Sequence, residues 1–459
     1  DKWKSKRTKD VMLFGFSNSG KFAGKAHDLI YPFMNFVCQN GKNVVEIGEH
    51  LIQGNVIIFK WSNTLTGNKG ADVMFVENGK VAAIGSGTPA SNLPAIDANG
   101  AWVTPGIFAT VTSLGLWDVG AVSESNDTRA GGAPFSAALD VAPVINPSSQ
   151  HILVHRASGI TRAATVTLPS SSIFGGQGAV IDLGADPDAV TQARAFQVVA
   201  LGEYGGRIAG GSRVATHTLL RAALREASAN RTATSADIRS DDVLLTRFDA
   251  AALAPVARGE QPLYVYVERA SDIHSTLALK REFPKLDLVL VGASEGWLVA
   301  NEIAAAGVPV IADGLDDLPA NFEELAATQS NIGRMVKAGV RVALNAAAME
   351  NPRNLNQYAG NLVALTRVPG ADGLSWGQAF AAITSVPASI SGMGGKAGVL
   401  APGAMGDLVI WDGDPLEVGS MPVKVFIDGV EQPLDNHQSR LKERYRDLDE
   451  SDLPKAYDW

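Results

Sequence analysis

Between Pro105 and about residue 394, apolar runs of strand length recur with helical patterns between them, and that alternation constrains the fold more than any single motif. Successive strands separated by helices pair in parallel. The runs lie at residues 102–116, 159–167, 262–267, 286–291, 308–312 and 340–344, rich in Val, Ile and Leu as strands buried on both faces must be. Helical patterns at 295–306 and 375–384 fall among them, the second opening on Ser375, a good helix cap. The expectation is an α/β protein, a (β/α)8 TIM-like barrel over residues 104–394, with its chemistry at the carboxyl ends of the strands.

Both flanks of that stretch read as β-structure. In residues 54–103 the run Ala71-Asp-Val-Met-Phe-Val76 meets Lys80-Val-Ala-Ala-Ile84 across Asn78-Gly79, a strong hairpin signal. Two more runs, around Leu408-Val-Ile-Trp411 and Val423-Lys-Val-Phe-Ile427, occupy residues 395–435. Both ends of the chain are thus β-rich around the alternating middle. A tail at 436–459 follows, with Leu441, Tyr445, Leu448, Leu453, Tyr457 and Trp459 set among charges. Such an apolar set in so short a segment docks on something, either this barrel or another chain.

Residues 1–53 differ from the rest, being rich in lysine (Lys2, Lys4, Lys6, Lys9, Lys21, Lys25) where the remainder favours arginine. That shift marks a tag, a fused segment or an extension of unknown role. Within it, Gly15-Phe-Ser-Asn-Ser-Gly20-Lys21-Phe22 approaches a phosphate-binding loop, but Phe22 stands where Ser or Thr must hold magnesium. With too little chain for a nucleotide-binding sheet, the match reads as chance.

The net charge of −9 and pI near 5.4 argue against a nucleic-acid surface, and no run approaches the roughly 18 apolar residues of a membrane span. The single cysteine, Cys38, excludes an internal disulfide or a multi-thiol metal site and leaves the compartment open.

The first run, Pro105-Gly-Ile-Phe-Ala-Thr-Val-Thr-Ser113, and the long stretch Gly403-Ala-Met-Gly-Asp-Leu-Val-Ile-Trp-Asp-Gly-Asp-Pro-Leu416 resemble the amidohydrolase superfamily. So do Thr384-Ser-Val-Pro387-Ala after the Ser375 helix and the tail Ser439-Arg-Leu-Lys-Glu-Arg-Tyr445, so that the resemblance covers about residues 55–459. The segments Ala157-Ser-Gly-Ile-Thr161 and Phe174-Gly-Gly-Gln-Gly178 resemble its imidazolonepropionase-like branch, often found in the periplasm of Gram-negative bacteria. The resemblance implies a small β-sandwich built from both chain ends, residues 54–103 and 395–435, beside the barrel, and hydrolysis of amides, cyclic amides or dipeptides by water activated on zinc or another divalent metal. It also implies a ligand set: two histidines after strand one, a carboxylated Lys or Glu after strand four, a His after strands five and six, and an Asp after strand eight.

Here those positions are degenerate. The two histidines fall on Val111 and Ser113, and the acid before them on Ala109. Neither Val nor a lone Ser holds zinc at neutral pH. The strand-five position falls near Glu268; Val291-Gly-Ala-Ser-Glu295 has no His; Asn345-Ala-Ala347-Ala offers no carboxylate; and Asp182 is the nearest acid for strand four. The other histidines supply little: His151 and His155, four apart, read as a solvated helix, and His274 as a helix-surface residue.

Glu268 and Asp182 are therefore the candidate catalytic groups, with Asp118 a further acid near the first strand, and no metal cofactor is expected. Two functions fit: a catalytically silent barrel kept as a binding or structural subunit, and a C–N hydrolase with a rearranged site. The first implies a homo-oligomer, or a hetero-oligomer with an intact relative, without nucleic acid and without a membrane span. Deleting residues 1–50 is expected to leave most of the thermal stability, since an extension without matching apolar surface is peripheral; a melting scan of the truncated chain that shows collapse would make the segment integral.

Overall fold

The protein was analysed as a computed structural model that describes residues 57–58, 61–62, 69–70, 72–77, 79–86, 96–98, 100–229, 244–346 and 351–446. The phosphate-loop-like stretch at 15–22, the extension at 1–53 and Ala347 lie outside those residues, as do Leu448, Leu453, Tyr457 and Trp459 of the tail.

Short strands come first: β1 (Ile57–Ile58), β2 (Trp61–Ser62), β3 (Lys69–Gly70), β4 (Asp72–Glu77) and β5 (Lys80–Ser86), then β6 (Trp102–Pro105). Strands β4 and β5 form the hairpin expected at Asn78-Gly79, with Glu77 opposite Lys80 and Gly79 at φ +77°. Near the other end lie β15 (Leu408–Trp411), β16 (Pro422–Ile427) and β17 (Val430–Glu431). The two ends share a sheet in the order β17-β16-β15-β6, with Trp411 opposite Trp102. They also share a core, in which Val81, Ile96 and Ala98 pack with Leu408, Ile410 and Phe426.

Between them stands an eight-stranded barrel of β7 (Ile107–Thr112), β8 (Ile160–Thr165), β9 (Phe174–Asp182), β10 (Val190–Ala200), β11 (Leu263–Val267), β12 (Leu288–Gly292), β13 (Val310–Ala312) and β14 (Val342–Leu344). It closes where Thr110 bridges Asn345 in parallel and the Thr110 hydroxyl donates to the Leu344 carbonyl at 3.0 Å. Ala163, Val199, Val265, Leu290 and Val310 face the surrounding helices. Phe108, Ala164, Val198, Tyr264, Val289, Ile311 and Ala343 fill the interior, the period-two alternation that a packed barrel requires.

One strand departs from strict (β/α)8 order. β9 runs antiparallel to both β8 and β10, so its carboxyl end, Asp182, lies at the opposite end of the barrel from the carboxyl ends of its neighbours. There Asp182 joins a buried cluster around Arg162, whose side chain is 1 % exposed. The Arg162 guanidinium donates to Asp407 at 2.6 Å, to Asp428 at 2.7 Å and to the Thr191 hydroxyl at 2.9 Å. Asp182 stands 3.9 Å away. Burial pushes the Asp182 carboxyl up to about 6 against the pull of Arg162. The expectation that Asp182 serves a site at the barrel mouth is thus corrected by its place in the fold.

Nearby, the Trp411 ring, fully buried, donates its Nε1–H to the Thr104 hydroxyl at 2.9 Å. Gly159, at φ +88°, is required beneath it, because a Cβ there would lie 2.7 Å from the indole. Ser375 caps the helix Trp376–Ala381 in a capping box with Gln378. The helix Gln150–Arg156 carries His151 and His155, but His155 is only 2 % exposed, so the reading of both as solvated is corrected for that residue. Burial drives the His155 imidazole down to about 4, which keeps it neutral. His274 sits on the helix Ala270–Leu277 and is exposed. Among the described residues no helix is long and apolar enough to cross a membrane. Of the tail, Leu441 is half-buried on the helix His437–Arg444 and Tyr445 is 57 % exposed.

Removing one partner from a buried charge cluster leaves the others uncompensated, at a cost of about 3–5 kcal/mol. Arg162→Met should therefore move the urea midpoint sharply down, the acids Asp407 and Asp428 losing their counter-charge. An unchanged midpoint would mean that the two halves are joined by apolar packing alone.

Candidate functional site

The alternation that fills the barrel continues past the ends of the strands and decides which side chains face the mouth. On β11, Tyr264 lies in the interior cluster with Tyr266 packed against it, and the next residue in phase is Glu268. On β13 the interior Ile311 is followed in phase by Asp313, and on β14 Ala343 by Asn345. β12 needs a correction of phase: Gly292 (φ +90°) and Ala293 (φ +53°) turn the chain through left-handed conformations, after which Ser294 meets Glu268. Its backbone N–H and its hydroxyl both donate to Glu268 Oε2, at 2.9 and 2.8 Å. A Cβ at position 292 would stand 1.9 Å from Glu268 Oε1, so only glycine leaves room for the carboxylate.

Asn345 Nδ2 donates to Asp313 Oδ1 at 2.6 Å. Glu268 and Asp313 are ringed by protein, yet both keep part of their surface accessible. Burial raises the Glu268 carboxyl well above its ordinary range, the Asp313 charge adds to this, and the Ser294 bonds oppose it. Burial likewise lifts Asp313 to about 7, opposed by the Asn345 bond and reinforced by Asp316 and Glu324. Two acids that repel each other across a poorly solvated space are each driven toward the protonated form. Tyr266 faces the same pair; its hydroxyl is buried without a hydrogen-bond partner among the described residues, and burial together with Asp313 raises its pKa.

The loop 313–330 crosses the rim and supplies the neighbouring acids. Glu295 holds it by accepting from Ala270 N at 3.0 Å and Ala326 N at 3.1 Å. The Trp297 indole donates to the Ala326 carbonyl at 2.8 Å. Arg213 pairs with Glu323 at 3.2 Å and with Asp272 at 3.0 Å.

The positions expected from the first strand are occupied differently. Val111 lies in the interior apolar cluster at φ +52°, an uncommon conformation for a β-branched residue. Ser113 accepts from the Trp117 indole at 3.1 Å, and that ring stacks on His151 with centroids 3.6 Å apart. Asp118 accepts from the Asn146 amide at 3.2 Å, beside the helix Gln150–Arg156. The structure thus places Glu268 at the mouth, Asp182 at the far end and Asp118 on the flank, and it brings no two of them together. Asp313, Asn345, Ser294 and Tyr266 were not singled out by sequence reasoning as site residues. Their signal was the alternation continued beyond the strand ends at Ala312 and Leu344.

A zinc site takes imidazole, thiolate or carboxylate ligands, three or four of them. Among the described residues the strand ends at the mouth offer the carboxylates of Glu268 and Asp313, already engaged with Ser294 and Asn345, and no group of three His, Cys, Asp or Glu is placed to hold a metal. This donor set does not fit the zinc centre implied by the resemblance.

A closed barrel with polar groups gathered at the carboxyl ends of its strands defines the chain as a TIM-like barrel protein. The model of the Amidohydrolase family matches residues 191–431, more than half of the chain, and the protein belongs to that family. It is 25% identical over 402 residues to the amidohydrolase tasK of Hapsidospora irregularis, covering 78% of this chain and 39% of the relative. The chain therefore spans about two fifths of the length of that curated relative. Among solved structures, an amidohydrolase from Thermotoga maritima MSB8 superposes with a TM-score of 0.70 at 23% identity, over 82% of this chain and 99% of the other; this likeness establishes the fold.

The raised carboxyls carry a sign for stability. A folded-state pKa above the unfolded one means that folding favours the protonated acid, so its contribution is complete below about pH 4 and is lost as pH rises through about 7 for Asp313. Melting temperature should fall between pH 5 and pH 8, and Asp313→Asn should flatten that fall and stabilise the chain at pH 8 by on the order of 1–2 kcal/mol. An unaltered pH profile in the variant would remove Asp313 as its source.

Proposed function

We propose that this member of the amidohydrolase family is a binding barrel, silent in metal-dependent C–N hydrolysis, that holds a hydrogen-bond-donating ligand at the Glu268–Asp313 pair. One arrangement carries the reading: where the strand ends converge, the chain sets the Glu268 and Asp313 carboxyls, each pushed toward protonation by burial, while the first-strand positions hold Val111 and Ser113. A pair of carboxyls accepts from amide or amine N–H groups, and a protonated member also donates. Tyr266 stands beside it with an unused hydroxyl. Acid pairs of this kind keep their charge low enough to remain buried and polar enough to orient a guest.

A second reading, C–N hydrolysis at an atypical site, is favoured by the same raised pKa values. One carboxyl near 7 and a partner shifted upward are the equipment of a general acid and a general base at neutral pH. Against it stands the engagement of Glu268 by two bonds from Ser294, which holds that oxygen away from a water to be activated. Membership of the imidazolonepropionase-like branch, a periplasmic location and pairing with an intact relative complete the proposal. They rest on the segments at 157–161 and 174–178 and on the apolar tail; sedimentation showing only monomer at micromolar concentration would end the pairing.

The test of function is a metal-reconstituted assay against dipeptides and cyclic amides with the parent chain and Glu268→Gln. No turnover above background is expected from either. Turnover that requires metal and falls on substitution would overturn the silent reading, and metal-independent turnover lost in both Glu268→Gln and Asp313→Asn would establish the second.

A further inference from the structure

Beside the carboxylate pair, the rim of the mouth opens into a cleft of about 470 Å³, within the range of small-molecule sites. One wall is the chain directly after Asp313, at Gly314 and Asp316; the other is the helix Leu355–Ala364. From that helix Gln357, Tyr358 and Asn361 line the cleft together with Asn354 at its cap, positions three or four apart that share one helical face. Asn354 and Tyr358 are half-buried, and Gln357 and Asn361 are exposed. None of the three amide side chains is hydrogen-bonded to another described residue.

The lining excludes most ligand classes. Among the described residues no Lys or Arg lines the cleft, so an anion finds no counter-charge there. Its one charged group, Asp316, is shifted toward protonation by burial and by Glu324, which weakens its hold on a cation. Leu315 is its one aliphatic side chain, too little for an apolar ligand or for the side chains of a peptide. What remains is a neutral molecule dense in groups that both donate and accept. A carboxamide offers a carbonyl acceptor beside an NH₂ donor, a fork that meets adjacent hydroxyls. Tyr358 adds a ring for the C–H face of a pyranose, and Asp316 an acceptor.

We propose that this cleft is a saccharide subsite, with Gln357 and Asn361 as its hydrogen-bonding forks. It goes beyond the reading of the Glu268–Asp313 pair, and neither carboxylate lines it, so its outcome stands apart from that of the hydrolysis assay. The test is isothermal titration of the intact chain with glucose, galactose and cellobiose, with N-acetyl-trialanine amide as the peptide control. At least one saccharide should bind saturably in the millimolar range. The double substitution Gln357→Ala with Asn361→Ala should weaken that binding about tenfold, two hydrogen bonds being lost. The melting temperature should hold, because alanine suits a helix surface. Absence of saturable binding for all three sugars, undiminished binding by the double variant, or tighter binding of the peptide would each overturn the assignment.

Discussion

The interaction on which the rest of the structure depends is the buried guanidinium of Arg162. It projects from a barrel strand, yet its strongest partners, Asp407 and Asp428, come from the sheet completed by the last strands of the chain. A buried charge of this kind is tolerable only when its partners are in place. Folding of the barrel wall and closure of the end sheet therefore make one cooperative demand. Asp428 adopts φ +48° while its backbone N–H donates to Asp407 at 3.0 Å, so the turn that carries it is fixed by the same cluster. Trp411, one strand away, supplies the apolar half of the joint against Gly159.

At the other end of the same barrel the balance of charge is reversed. Arg162 gathers acids around a cation, whereas Glu268 and Asp313 meet each other with Asp316 and Glu324 nearby and neutral partners in Ser294 and Asn345. Burial pushes those carboxyls toward protonation, where the Arg162 end relies on ion pairing. The barrel thus has an ion-paired floor that joins it to the end sheet and an acid-rich mouth.

Much of this was legible in the chain. Apolar runs at 262–267, 286–291, 308–312 and 340–344 foretold four barrel strands, Asn78-Gly79 a hairpin and Ser375 a helix start. Hydrophobic periodicity has no direction, however, so the apolar, glycine-rich run from Phe174 reads the same for a parallel or a reversed strand, and the misplacement of Asp182 follows from that. Asp313 escaped notice because Asp-Gly after a strand reads as a turn, and the phase of a side chain beyond a strand end depends on the conformation of neighbours such as Ala293. The burial of His155 is a tertiary matter: its helix packs against the barrel, which the spacing to His151 does not reveal.

The reversal of β9 has a consequence for the order of events in folding. Strands β9 and β10 are joined by only the residues between Asp182 and Val190, so their pairing closes a short loop, while every parallel pair in the barrel must wait for a helix or a long crossover to be traversed. Hairpins of this kind form in about 1–10 μs, far ahead of non-local contacts whose closure entropy comes first. The hairpin carries the Asp182 end of the buried cluster and, through Thr191, a hydroxyl that receives Arg162. Strand β8 joins β9 through a similarly short connection with Arg162 opposite Asp182. An early β8–β9–β10 unit would thus bring the guanidinium to its polar socket, and the slow search for register by the parallel strands proceeds around a corner already built.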